Sequence, residues 1–270
     1  MQRNQLPIGM FDSGVGGTSI LREVNRLMPY EKIIYLADSL YAPYGTKPKQ
    51  KIVDLSVKNT EKLLQLGVKI IVVACNTATT NAISFLRATY PDISFIGIEP
   101  AIKPATLISK NKRIGILATK GTLSSKLFHD TSKKFVDDSI EILEKEGIGL
   151  VEAVEANTFD TPEFIQHFQT QLDFFVEKEV DCIVLGCTHY PYLIPLIKSY
   201  LPPSIQIIDS GEAVARQTKR ILEKANLLHT KLTETKYQIK LYTNTSITTL
   251  SSLFAKEIKS SKANVQYLDF

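Results

Sequence analysis

Two cysteines stand in matching surroundings, and thiol chemistry is the first possibility the sequence raises. IIVVACNTATT spans Ile70 to Thr80, and CIVLGCTHYPY spans Cys182 to Tyr192. Each is an apolar run ending in a small residue, then Cys75 or Cys187, then a threonine within two positions. A thiolate is a nucleophile and a base, and its pKa falls from about 8.5 beside a helix N-terminus or a cation. Both cysteines precede an expected helix start, where free N–H groups favour negative charge. Both are therefore expected to have lowered pKa values. Asn76, Thr77, Thr188 and His189 support a chemical role, because an inert core cysteine does not need polar neighbours. His189 has the chemistry to tune Cys187 or relay its proton. Cys182, at the start of its strand, reads as a packed core residue.

Other polar groups fall at expected strand ends. FDSGVGGTS (Phe11–Ser19) is a strand, an acid, a glycine-rich turn and a helix. It matches neither GxGxxG nor GxxxxGK[ST], so it gives little support to a nucleotide site. Its glycines permit close approach of a small ligand. Asp12 could orient an amine or a base, and Asp12 or Ser13 could equally cap the helix. In APYG, Tyr44 and the backbone of Gly45 could hold a carboxylate, or simply form a turn. Thr119 and Thr122 of ATKGT offer hydroxyls to a ligand or to a helix cap. Cys182, Cys187 and His189 do not have the spacing of a zinc knuckle, so no metal is expected. His129, His167 and His229 have no sequence partner and read as surface residues.

These residues need elements to position them. Strands are expected at Pro7–Phe11, Lys32–Ala37, Lys69–Ala74, Ser94–Ile98, Arg113–Ala118, Cys182–Gly186, Ile205–Asp209 and Ile239–Thr243. Their continuous apolar runs suit strands covered on both faces. Helices are expected at Thr18–Met28, Gln50–Leu66, Thr77–Thr89, Ser124–Lys134, Pro162–Glu179, Tyr192–Tyr200, Glu212–Leu227 and Thr248–Ile258. This alternation predicts an α/β fold with mainly parallel sheets flanked by helices. A second echo accompanies the cysteine pair: IGMFDSGVGGT begins at Ile8 and IGILATKGT at Ile114. Two echoes at similar offsets suggest a duplicated unit. Two pseudo-symmetric domains would then face each other, with the site in the cleft between them. Pro100 and Pro104, then Pro202 and Pro203, mark crossings. The expected domains are 1–98 with 208–270, and 99–207.

Composition limits the alternatives. The 270 residues are 44% hydrophobic and 22% charged, values that exclude a disordered chain. A net charge of +4, from 32 basic and 28 acidic residues, is too balanced to point to nucleic acid or a membrane surface. The lysines from Lys47 to Lys51 read as a solvated loop. Three cysteines do not make a secreted disulfide framework. With no signal-peptide core and no run long enough to span a bilayer, a cytoplasmic setting is expected.

FDSGVGGTS, YLADSLYAPYGTK, VVACNTATT, ATKGT and LGCTHYPYL, in this order, resemble the aspartate/glutamate racemase family. The DSGVGG and PYG motifs fit glutamate better than aspartate. The resemblance implies a cofactor-independent isomerase that interconverts L- and D-glutamate for peptidoglycan synthesis, usually as a homodimer. It assigns Cys75 and Cys187 as the two acid/base groups, with Asp12 and His189 as auxiliaries. Asp12, Ser13, Tyr44, Gly45, Asn76, Thr77, Thr119, Thr122, Thr188 and His189 would line the substrate pocket. The family's auxiliary glutamate falls in GLVEAVEAN, where Glu155 is favoured over Glu152. Glu152 stands where the family usually has proline, and Ser39 of LADS where it often has threonine. Rival readings are an aspartate or hydantoin racemase, a thiol hydrolase using Cys187 and His189, and a non-catalytic amino-acid-binding protein.

Overall fold

The computed structural model describes residues 3–230, 238–260 and 262–270. Its strands are β1 (Ile8–Asp12), β2 (Ile33–Ala37), β3 (Ile70–Val73), β4 (Phe95–Gly97), β5 (Arg113–Ala118), β6 (Glu141–Glu146), β7 (Cys182–Gly186), β8 (Gln206–Ile208), β9 (Ile239–Thr243) and β10 (Ala263–Tyr267). The uninterrupted apolar runs become the inner strands. β1, β2, β3 and β7 are buried at every position, as strands sandwiched between helices must be.

The strands form two sheets, ordered β10-β9-β2-β1-β3-β4 and β6-β5-β7-β8. Every pairing is parallel. The order β2-β1-β3-β4 of the first sheet recurs in the second as β6-β5-β7-β8. The sequence echo is thus a topological repeat. Cys75 follows β3 and Cys187 follows β7, the equivalent strand of each lobe. The largest apolar core joins the lobes, running from Ile8 and Val72 of the first sheet to Leu117 and Leu185 of the second.

The helices are α1 (Thr18–Leu27), α2 (Lys49–Gln65), α3 (Asn76–Thr89), α4 (Ile102–Ile108), α5 (Lys120–Leu123), α6 (Lys126–Phe135), α7 (Leu150–Ala156), α8 (Pro162–Glu177), α9 (Ile194–Tyr200), α10 (Gly211–Lys224), α11 (Thr248–Leu253) and α12 (Ala255–Lys259). Among the described residues, none is long and apolar enough to cross a membrane.

The structure departs from the sequence reading where local signals are weak. β6, EILEKE, is a polar edge strand with no fully buried position, and edge strands carry charge that hides the apolar pattern. β10 is the opposite sheet's edge and was equally silent. The crossing at IEPAIKP contains α4, whose Pro104 lies in the first turn and so forfeits no helical hydrogen bond. The single helix expected over Thr248–Ile258 breaks at Phe254, which is fully buried.

Candidate active site

The C-terminal ends of β1, β3, β5 and β7 converge, as in other open α/β sheets that place ligands there. Cys75, Asn76, Cys187, Thr188 and His189 all border one small cavity of about 10 Å³. That is room for about one water-sized sphere. Ser13, Tyr44, Gly45, Thr77 and Thr119 complete the expected lining, joined by Pro43 and Val151. Asp12 and Thr122, also expected in the lining, are fully buried and do not border this cavity. The reason is hydrogen bonding. Asp12 accepts from the Ser13 and Gly17 amides at 2.7 and 2.6 Å, and from Thr188 Oγ1 at 3.2 Å. Thr122 joins Thr77 and Thr119 in a hydroxyl cluster that crosses the cleft. Asp12 therefore fixes the glycine-rich loop as well as standing beside the site.

The two cysteines sit in unlike surroundings. Cys75 is the N-cap of α3, its Sγ accepting from the Ala78 amide at 3.4 Å, and it donates to Ser13 Oγ at 3.7 Å. The sequence suggests a lowered pKa, and the structure reverses it. Burial and the Asp12 charge push the Cys75 thiol well up, more than the helix amide pulls it down. Cys75 is thus held as a thiol. Burial likewise raises Asp12, against the opposing effect of His189.

Cys187 precedes a short 3₁₀ turn, Tyr190–Leu193, rather than an α-helix. The expected dipole is replaced by a side chain. His189 Nδ1 lies 3.7 Å from Cys187 Sγ, and His189 Nε2 lies 2.5 Å from Glu155 Oε1. Burial opposes the imidazolium, but contacts with Cys187 and Glu155 outweigh it and raise the His189 pKa well above its ordinary value.

Glu155, on α7, also accepts from the Val15 amide at 2.6 Å and from Ser39 Oγ at 2.8 Å, both on the opposite lobe. Glu152, one turn earlier, is exposed. The glycines of DSGVGG serve these contacts rather than a ligand's approach. A Cβ at Gly14 would lie 1.9 Å from Glu155 Oε1, and one at Gly16 would lie 2.3 Å from His189 Nδ1. Nothing larger than hydrogen fits, so the loop is read by the facing lobe.

Two further features bear on ligand binding. Asn76 is 2% exposed, and both its side-chain Nδ2 and Oδ1 are buried without a hydrogen-bond partner among the described residues. Unpaired buried amides are costly, so this one is free for a ligand at the cavity it borders. Tyr44 donates to buried Asp38, which also accepts from Lys58 at 2.9 Å and Asn59 at 3.1 Å. Burial and Asp38 raise the Tyr44 pKa and keep it protonated. The sequence reading missed Asp38; its one signal was an acid at the end of β2, matching Asp12 at the end of β1.

Cys182 is fully buried in a separate core, its thiol pushed up to about 12 by burial. Of the remaining histidines, His129 and His167 are exposed, whereas His229 is half-buried, its amide held by Glu31. Among the described residues no cluster of three or more His, Cys, Asp or Glu could hold a metal ion.

Fold and site together define a duplicated two-lobed α/β protein with one thiol from each lobe bordering an interlobe cavity, an arrangement suited to acid–base chemistry. The chain belongs to the Asp/Glu/Hydantoin racemase family, whose model matches residues 13–218. It is 43% identical over 230 residues to a glutamate racemase of Ectopseudomonas mendocina, covering 85% of this chain and 87% of the relative. It is 44% identical over 223 residues to one of Herpetosiphon aurantiacus, covering 83% and 87%. Among solved structures, a glutamate racemase isoform of Bacillus anthracis superposes with a TM-score of 0.86 at 28% identity, covering 99% of this chain and 98% of that one. The Escherichia coli glutamate racemase, solved with L-glutamate and the activator UDP-MurNAc-ala, superposes with a TM-score of 0.84 at 28% identity, covering 97% of each chain.

Proposed function

We propose that this protein is a glutamate racemase in which Cys75 and Cys187 exchange the α-proton on opposite faces of the substrate. The observation that carries the reading is that both cysteines border one cavity from equivalent strands of the two lobes, with the unpartnered amide of Asn76 in the same lining. One base reaches only one face of a carbon, so inversion through proton transfer calls for two opposed groups.

His189, whose pKa is raised by its contacts with Cys187 and Glu155 against the cost of burial, stands as the proton partner of Cys187, while burial keeps Cys75 a thiol. The Cys187 thiolate takes the α-proton from L-glutamate, leaving a planar carbanion. Cys75 delivers its proton to the other face and becomes the thiolate. D-glutamate runs the steps in reverse, which agrees with the roles the family resemblance implies. In this reading Asn76, Thr77 and Thr188 donate to the carboxylate as its charge grows. Asp12 beside Cys75, and Glu155 through His189, adjust the two thiols. The lobes in this reading are residues 1–98 with 208–270, and 99–207. The D-glutamate would supply peptidoglycan synthesis in the cytoplasm, with the enzyme acting as a homodimer and without a cofactor.

The deciding experiment is solvent-deuterium incorporation at the α-carbon, with L-glutamate, L-aspartate and a hydantoin compared side by side on metal-free protein. Glutamate is expected to exchange and invert, and Cys75→Ala and Cys187→Ala each to lose at least about 10³-fold in turnover. Preferred turnover of aspartate or hydantoin, or near-normal racemisation by either variant, would refute the reading.

A further inference from the structure

The cavity at the two cysteines is too small for an amino acid as it stands, so substrate must reach it when the lobes part. Among the described residues, a larger cavity adjoins it. A cavity of about 610 Å³ shares Gly45 with the site cavity and is walled by both lobes. The partition between the two is thin. Asn81 donates to the Thr77 and Gly121 carbonyls across it, at 2.9 and 3.3 Å. A methyl group at Gly121 would stand 3.0 Å from the Gly45 carbonyl oxygen. Separating Gly45 from Gly121 would join the outer cavity to the inner one.

The charge of this outer cavity is one-sided. Lys47 and Lys49 line it from the first lobe, Lys120 and Lys126 from the second, against Glu146 as the one acid in its lining. Lys126 is paired with Asp130 at 2.5 Å. Lys47, Lys49 and Lys120 have no ion-pair partner among the described residues. The protein as a whole carries only +4, so three uncompensated cations at one mouth are a local concentration. Closing the lobes brings like charges together, and an anion between them relieves that repulsion.

We infer that this cavity is the vestibule of the active site and that Lys47, Lys49 and Lys120 form a cationic collar that collects a dicarboxylate amino acid for it. This rests on the racemase reading for the identity of the anion. Glutamate carries two carboxylates and one ammonium, a net charge of −1, and a cleft lined by one sign of charge raises the local concentration of its counter-ion. The lysines touch neither thiol, so their effect falls on capture and not on proton transfer.

The test is the triple substitution Lys47→Gln, Lys49→Gln, Lys120→Gln, with Lys49→Gln and Lys120→Gln alone as milder variants should the triple fold poorly. The first readout needs no turnover. Cys75 and Cys187 are alkylated with anionic iodoacetate and with neutral iodoacetamide, and each site is quantified by mass spectrometry. The iodoacetate-to-iodoacetamide rate ratio is expected to fall about threefold to tenfold in the triple variant at low salt. The gap should vanish near 1 M salt, where the screening length is about 3 Å. The second readout is the racemisation of glutamate, where kcat/KM should fall by a similar factor with kcat unchanged. An unchanged reagent ratio, or equal slowing by both reagents, overturns the collar, as does a loss confined to kcat. Wild-type protein that shows the charge selectivity but never racemises glutamate defeats the proposed function and leaves the collar standing.

Discussion

Cys187 Sγ lies 3.7 Å from His189 Nδ1, whereas Cys75 Sγ lies at the same distance from a hydroxyl, Ser13 Oγ. The backbone repeat places the two thiols equivalently, yet one faces an imidazole and the other the Asp12 carboxylate. The repeated strand order supplies the symmetry, and the neighbours of the two thiols break it.

Glu155 is the support of that asymmetry, since its Oε1 lies 2.5 Å from His189 Nε2 and the contact helps to raise the His189 pKa. Glu155→Gln keeps the size and loses the charge. Turnover should drop by about 10²-fold. The enantiomers have equal free energy, so kcat/KM must fall equally in both directions. The asymmetry will show elsewhere, in a changed ratio of the two kcat values. Measuring both directions by circular dichroism at saturating substrate checks this. Glu152→Gln, at an exposed position, should leave both directions unchanged.

Gly16 is expected to be as sensitive as a catalytic residue. A methyl group there would stand 2.3 Å from His189 Nδ1, so Gly16→Ala must move the ring off Cys187 or move the loop. The strain should cost about 1–3 kcal/mol of stability, read from urea unfolding, and leave a folded protein with racemisation reduced about 10²-fold. A fully active Gly16→Ala variant would show that His189 need not sit where it does.

Asn76 separates function from stability in the opposite sense. Its amide is buried and unpartnered, so Asn76→Leu removes a desolvated polar group without breaking a hydrogen bond. Thermal stability should hold or rise, while kcat/KM for glutamate falls by about 10- to 10²-fold, the value of one or two lost hydrogen bonds. Destabilisation with unimpaired catalysis would mean that the amide serves the fold.

What the sequence made legible follows from which forces act locally. Ile70–Val73 and Cys182–Gly186 read as buried parallel strands because their apolar runs have no alternation, and the cysteines were found because they end those runs. Asp12, Tyr44 and Thr119 were legible as polar residues beside turns. The Cys75 pKa was not, since its helix amide is a local feature and the burial that outweighs it is a tertiary one. Asp12 and Thr122 do not border the cavity for the same reason, as their partners come from Thr188 and Thr77 on the facing lobe. β6 escaped because an edge strand such as EILEKE carries its charges outward. Val151 gave no signal at all, being an aliphatic residue whose only distinction is the cavity it borders.

The protonation of His189 makes a pH prediction with a definite sign. Its folded pKa is raised above the ordinary value near 6.5 by Cys187 and Glu155, against the cost of burial. A raised pKa means that the folded state holds the proton more tightly than the unfolded chain does. The resulting stabilisation is present in full below about pH 6.5. It declines above that point and is gone once pH has passed the folded value. His189→Asn has no such proton to lose. The stability of the wild type relative to this variant, measured by urea unfolding, should therefore be greatest near pH 6 and shrink steadily as the pH is raised. A difference that stays flat from pH 6 to 10 would mean that the ring is neutral throughout. Cys187 would then have no cation beside it.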